Sequence, residues 1–163
     1  DVNKYLRKIG YKKARNILHE CLYCQLKEAL DLNLISQKIN VLIDFTEHAY
    51  YGNREDKMIK GTNRQKGTKK MRHYLSFSIL SREIQLFAGL EQIAKGQSKI
   101  PVILKFLDSL LNSGFELNYV LMDREFYRAE LLDEIKGMRG NVIIPSKSYK
   151  KIKKMITEYL SGC

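Results

Sequence analysis

Two aspartates close two apolar runs, Val41-Leu42-Ile43-Asp44 and Tyr119-Val120-Leu121-Met122-Asp123. A carboxylate at the exit of a buried strand must be paired or put to use, because an isolated charge is costly to bury. If the two strands lie side by side, both carboxylates reach one sheet edge. Paired carboxylates are the oxygen-ligand set that suits Mg²⁺ or Mn²⁺. A cation held there activates a water or hydroxyl and stabilises the leaving oxygen of a phosphodiester. Taken singly, each aspartate reads as a cap or turn residue after a strand. Only their meeting makes a site.

The elements that must position them follow from periodicity. Ala14, Ile17, Leu18, Cys21, Leu22, Leu26, Ala29 and Leu30 recur at helical spacing and predict a long amphipathic helix over residues 12–34. The Asp44 strand comes next. His48, Tyr50, Tyr51 and Gly52 follow, Gly52 being expected to serve a turn with positive φ. Residues 52–71, poor in apolar side chains, read as a long mobile loop. It carries Arg54, Lys57, Lys60, Arg64, Lys66, Lys69 and Lys70, which either follow phosphates or simply solvate the loop. Alternation over residues 73–80 and 83–90, joined by Ser81-Arg82, predicts an antiparallel hairpin. Pro101 opens a helix with an apolar stripe from Val102 to Leu111, ended by Gly114. The Asp123 strand is continuous in apolarity and is therefore expected to be central. A short helix over 127–136 stopped by Gly137, a strand over 141–145 and a lysine-rich amphipathic helix over 150–160 complete the chain. This is a mixed α/β layout, helices packed on a central sheet. The 101–113 helix is long enough for a right-handed crossover that returns the Asp123 strand parallel to the Asp44 strand.

Composition bounds the partners. The 163 residues suit one domain with its own core, expected here as a helical lead-in over 1–36 and a catalytic unit over 37–163. Lys and Arg number 29 against 18 Asp and Glu, and this surplus of +11 favours a polyanionic partner, nucleic acid before membrane. Three cysteines without framework spacing argue for a reducing, cytoplasmic setting, and Cys21-x-x-Cys24 reads as ordinary helix rather than zinc. No apolar run approaches the roughly 20 residues of a membrane span.

The cluster Asp44-Phe-Thr-Glu-His-Ala-Tyr50-Tyr51-Gly52, the Lys/Gly/Thr-rich stretch after it, and Asp123-Arg124-Glu125-Phe126-Tyr127 together resemble the catalytic domain of DDE transposases of bacterial and archaeal insertion sequences. The resemblance spans roughly residues 40–148 and implies an RNase H-like fold. It implies that Asp44 and Asp123 are catalytic and metal-binding, with Mg²⁺ or Mn²⁺ as cofactor. It further implies terminal-repeat and target DNA as partners, a homodimer as one arrangement of the active complex, and strand transfer after cleavage. The family's third acid is a glutamate on a later helix. Glu125, Glu130 and Glu134 follow Asp123 too closely, and the neighbours of Glu158 do not make the family's Tyr-x-x-Arg-x-x-x-Glu pattern, so that acid is expected beyond Cys163. Arg124 would pair with a phosphate or with Glu125 or Glu130, and Lys150 and Lys151 would add backbone contacts. A silent DNA-binding remnant and a nuclease of the same superfamily that cuts without joining are the alternatives.

Overall fold

The computed structural model describes residues 9–52, 57–65, 67–81, 84–145 and 150–161, and only the backbone of 11, 12, 62–65, 150–153, 156 and 160. In chain order these form α1 (Tyr11–Asp31), β1 (Lys38–Ala49), β2 (Ile59–Gln65), β3 (Thr68–Leu80), β4 (Gln85–Ile93), α2 (Ile100–Asn112), β5 (Glu116–Met122), a 3₁₀ turn (Arg124–Phe126), α3 (Ala129–Gly137), β6 (Asn141–Ile143) and α4 (Lys150–Ser161). No described helix is long and apolar enough to cross a membrane.

One sheet runs β2-β3-β1-β5-β6, and β4 shares the outer edge of β3 with β2. β1 pairs antiparallel with β3 and parallel with β5, and β5 pairs parallel with β6. Helix α2 supplies the crossover between the antiparallel half and β5. This is the expected α/β architecture, RNase H-like, with an antiparallel meander on one side of β1 and parallel strands on the other.

Alternation sets the faces. Ile39, Val41 and Ile43 of β1, Leu75, Phe77 and Ile79 of β3, and Leu117, Val120 and Met122 of β5 are buried in one core. β-Branched and aromatic side chains fit such a pleated surface. Leu26 and Ala29 of α1, Ile103, Phe106, Leu107 and Leu110 of α2, and Leu131 and Ile135 of α3 cover that face. The stacked rings of Phe77 and Phe106, 4.0 Å between centroids, pin α2 to the sheet. The opposite face carries Leu42, Asp44, Ser76 and Leu121. Phe87, Tyr119 and Ile143 remain 41–50% exposed, so this side is open around them.

The β5 strand is aimed by the end of α2. Gly114, at φ +88°, takes the left-handed position, while Gly114 N–H donates to Leu111 O and Phe115 N–H to Leu110 O. That is the two-bond Schellman closure, which satisfies the last helical carbonyls. Glu116 N–H then donates to Gln37 O, and Gln37 Nε2 to Gly114 O, registering β5 on β1 from its first residue.

Three local expectations are corrected. The stretch 52–71 is largely not loop, because β2 pairs with β3 and β3 begins at Thr68. β1 does not end at Asp44 but continues to Ala49, because residues 45–49 pair antiparallel with 71–75 after the parallel pairing with β5 has finished. Gly52 is not at positive φ; a Cβ there would collide with the Tyr50 phenol, and the ring would have to move aside.

Candidate metal centre on the open sheet face

Parallel pairing of β1 and β5 runs Val41↔Val120, Leu42↔Leu121, Ile43↔Met122. One step further along both chains stand Asp44 and Asp123. Neighbouring strands lie about 4.8 Å apart, so the register itself makes these two residues neighbours. Ile43 and Met122 point into the core, and alternation therefore turns both aspartates outward. Both are exposed, and both line one open cleft of roughly 470 Å³ with Ser76, Ser78, Leu42, Leu121 and Ile143.

Each carboxylate is oriented locally. Asp123 caps the 3₁₀ turn, its Oδ1 accepting from Arg124 N–H at 2.6 Å. The cap reading of this residue is therefore correct. Thr46 Oγ1 donates to Asp44 Oδ2 at 3.4 Å, and Ser76 Oγ donates to the Asp44 carbonyl at 3.5 Å. An all-oxygen set of carboxylates and hydroxyls is the chemistry of Mg²⁺ or Mn²⁺, not of zinc. The donors fit such a cation in kind. They are fewer than a full set, since no group of three His, Cys, Asp or Glu side chains comes together among the described residues.

The basic residues divide by face. On β3, alternation from Ser76 and Tyr74 puts Arg72 and Lys70 on the aspartate side, and Lys69 with Met71 on the other. Lys60 pairs with Met71 and shares that other side. Lys57 is exposed before β2. Arg124 is exposed beside Asp123 and makes no ion pair among the described residues; Glu125 pairs instead with Lys99. Arg54 and Lys66 lie outside the described residues, as do the side chains of Arg64, Lys150 and Lys151. Arg72, whose guanidinium sits 4.8 Å from the Tyr50 ring centroid, is the site-side cation that sequence reading passed over. Its signal was present, because Arg72, Tyr74 and Ser76 share one strand phase, but the loop assignment hid it.

Tyr50 is half-buried under Arg72, whereas Tyr51 and Tyr127 are exposed, as is His48 on the aspartate side of β1. On the core side, His73 is buried with neither ring nitrogen hydrogen-bonded among the described residues. Its Nδ1 lies 3.6 Å from Glu47 Oε1. Desolvation pushes the imidazole below its ordinary range, with Glu47 opposing and Lys60 and Lys99 adding to the shift.

No family model matches this chain, and no curated protein matches it. Among solved structures, it is similar to a piggyBac transposase in a synaptic complex with hairpin DNA, at 11% identity and a TM-score of 0.48, covering 91% of this chain. It is also similar to the Drosophila P element transposase in a strand transfer complex, at 8% identity and a TM-score of 0.39, covering 69% of this chain. The chain spans 33% of the first protein and 27% of the second.

Proposed function

We propose that this chain is the catalytic core of a DDE-type DNA transposase, of the insertion-sequence kind that its two motifs resemble. The observation that carries the reading is the parallel register, which makes Asp44 and Asp123 neighbours on the open face of a strongly basic domain. In this reading Asp44 and Asp123 hold Mg²⁺ or Mn²⁺, which when bound activates water and stabilises the leaving oxygen of a phosphodiester. Capping by Arg124 N–H fixes the rotation of the Asp123 carboxylate, and Thr46 steadies Asp44. Arg124, Lys70 and Arg72 border the same face and bind DNA phosphates, positioning a strand over the carboxylates. The terminal repeats of an element and a target duplex are the substrates, and cleavage precedes joining of the freed 3′-hydroxyl.

The test is Mn²⁺ binding and Mn²⁺-dependent nicking of labelled duplex DNA. Asp44→Asn and Asp123→Asn should each abolish binding and reduce nicking by about 10²-fold or more, with unchanged thermal midpoints. Nicking that survives both substitutions removes the proposal. A second reading has a specific observation behind it: no group of three His, Cys, Asp or Glu side chains comes together among the described residues. A silent DNA-binding remnant would bind duplex DNA with a steep salt dependence and nick nothing at any Mn²⁺ concentration.

A further inference from the structure

Lys99 is an unexpected residue for its place. It is the N-cap of α2, and no side chain caps that helix start. The start of a helix carries the positive end of the macrodipole, so a cation there is disfavoured and a carboxylate or hydroxyl preferred. What Lys99 touches supplies the reason. Its Nζ lies 3.0 Å from Glu125 Oε1, 3.2 Å from the centroid of the Phe45 ring and 5.3 Å from that of Phe126. Phe45 is the residue after Asp44, and Glu125 and Phe126 sit in the turn that Asp123 caps. Phe126 is buried, and the Phe45 ring also meets His73 at 5.1 Å.

We infer that Lys99 is a positioning residue for the aspartate pair, an inference that rests on the metal-site reading of Asp44 and Asp123. One ammonium joins three elements: it lies on the ring that follows the first aspartate, and it pairs with the carboxylate two residues beyond the second. A cation against aromatic faces and a carboxylate, with its side chain only 26% exposed, keeps much of its attraction. The clamp acts from the core side of the sheet, since Phe45 follows Ile43 in strand phase while Asp44 faces the cleft. Holding the Glu125 turn against Phe45 fixes the cap between Arg124 N–H and Asp123 Oδ1. The separation and rotation of the two carboxylates are thereby set before any ligand arrives.

The test uses the full chain and two readouts, one of which needs no metal. Hydrogen exchange of the Arg124 amide reports the Asp123 cap directly. Lys99→Met should speed that exchange about tenfold while leaving amides of β1 and β3 protected, and Lys99→Arg should restore protection. Mn²⁺ titration should show affinity weakened about tenfold in Lys99→Met and largely recovered in Lys99→Arg. Glu125→Gln breaks the same ion pair from the other side and stands in if Lys99→Met does not fold. Unchanged Arg124 exchange in Lys99→Met or Glu125→Gln overturns the inference, as does a loss of protection spread evenly over the sheet. If the unmodified chain binds no Mn²⁺, the metal reading fails, and the exchange experiment still decides whether Lys99 holds the turn.

Discussion

His73 shows what burial does to one titratable side chain. Both ring nitrogens are without hydrogen bonds among the described residues, and the neutral imidazole is the form the core tolerates. Its folded-state value is depressed, so in a window starting near the ordinary 6.5 and running downward the unfolded chain takes up a proton that the folded chain refuses. Stability therefore falls as pH falls through that window. Glu47, Lys60, Lys99 and Glu125 are the charged groups that bear on the ring, and only the two carboxylates favour its protonation. Urea midpoints measured between about pH 7.5 and 5.5 should drop for the unmodified chain and drop less for His73→Phe. Equal slopes for the two proteins would show that His73 does not report this burial.

At the scale of elements, the sheet is held to α2 through a place where no side chain fits. Gly89 of β4 lies opposite Phe77. A Cβ there would stand 2.8 Å from Phe106 Cε2 and 3.3 Å from Phe77 Cδ2. Gly89→Ala should therefore part the Phe77–Phe106 stack and cost about 1–3 kcal/mol, read as a lower urea midpoint at unchanged slope. A midpoint equal to that of the unmodified chain would mean that the rings move aside freely. The close of α3 makes a related point. Gly137 is inside the helix, and Arg139 at φ 60° takes the left-handed position, with Arg139 N–H bonded to Lys136 O and Gly140 N–H to Ile135 O. A glycine near a helix end suggests a stop by type, but where the backbone turns is set by what packs beyond it. A Cβ on Gly140 would already press on Ile135 and Leu117.

For the molecule as a whole, the surplus of +11 matters less than how it is divided between faces. If the aspartate side meets DNA, Lys70 and Arg72 lie on that side and Lys69 does not. Lys70→Glu and Arg72→Glu should each reduce the magnitude of the log K versus log salt slope by about 0.9 for every phosphate left without its cation. Lys69→Glu should change affinity less than either, through long-range charge alone, and that difference should shrink further above about 0.15 M salt. If Lys69→Glu weakens binding as much as the other two, DNA does not lie on the aspartate side.

The sequence by itself determined the period of nearly every element, the core stripes of α2 and α3 and the two aspartates as the residues to watch. Those features are local: a period of two or 3.6 and a charge after an apolar run can be read without knowing what packs against them. What only the tertiary structure decided is non-local. The hairpin that β2 makes with residues 68–72 of β3 is poor in apolar residues, so its pattern carried no strand signal. It forms because β1 runs on past Asp44 and offers Ala49 through Phe45 as a partner for residues 71–75. That same pairing put Arg72 on the aspartate face and set Phe45 where Lys99 can reach it. The meeting of Asp44 with Asp123 depends on the whole path from β1 through α2 to β5, including the one-residue register shift between Ile39 and Val41 that brings Val41↔Val120, Leu42↔Leu121 and Ile43↔Met122 into step. A slip of a single residue there would send one carboxylate into the core, and burial of Ile43 and Met122 forbids that slip.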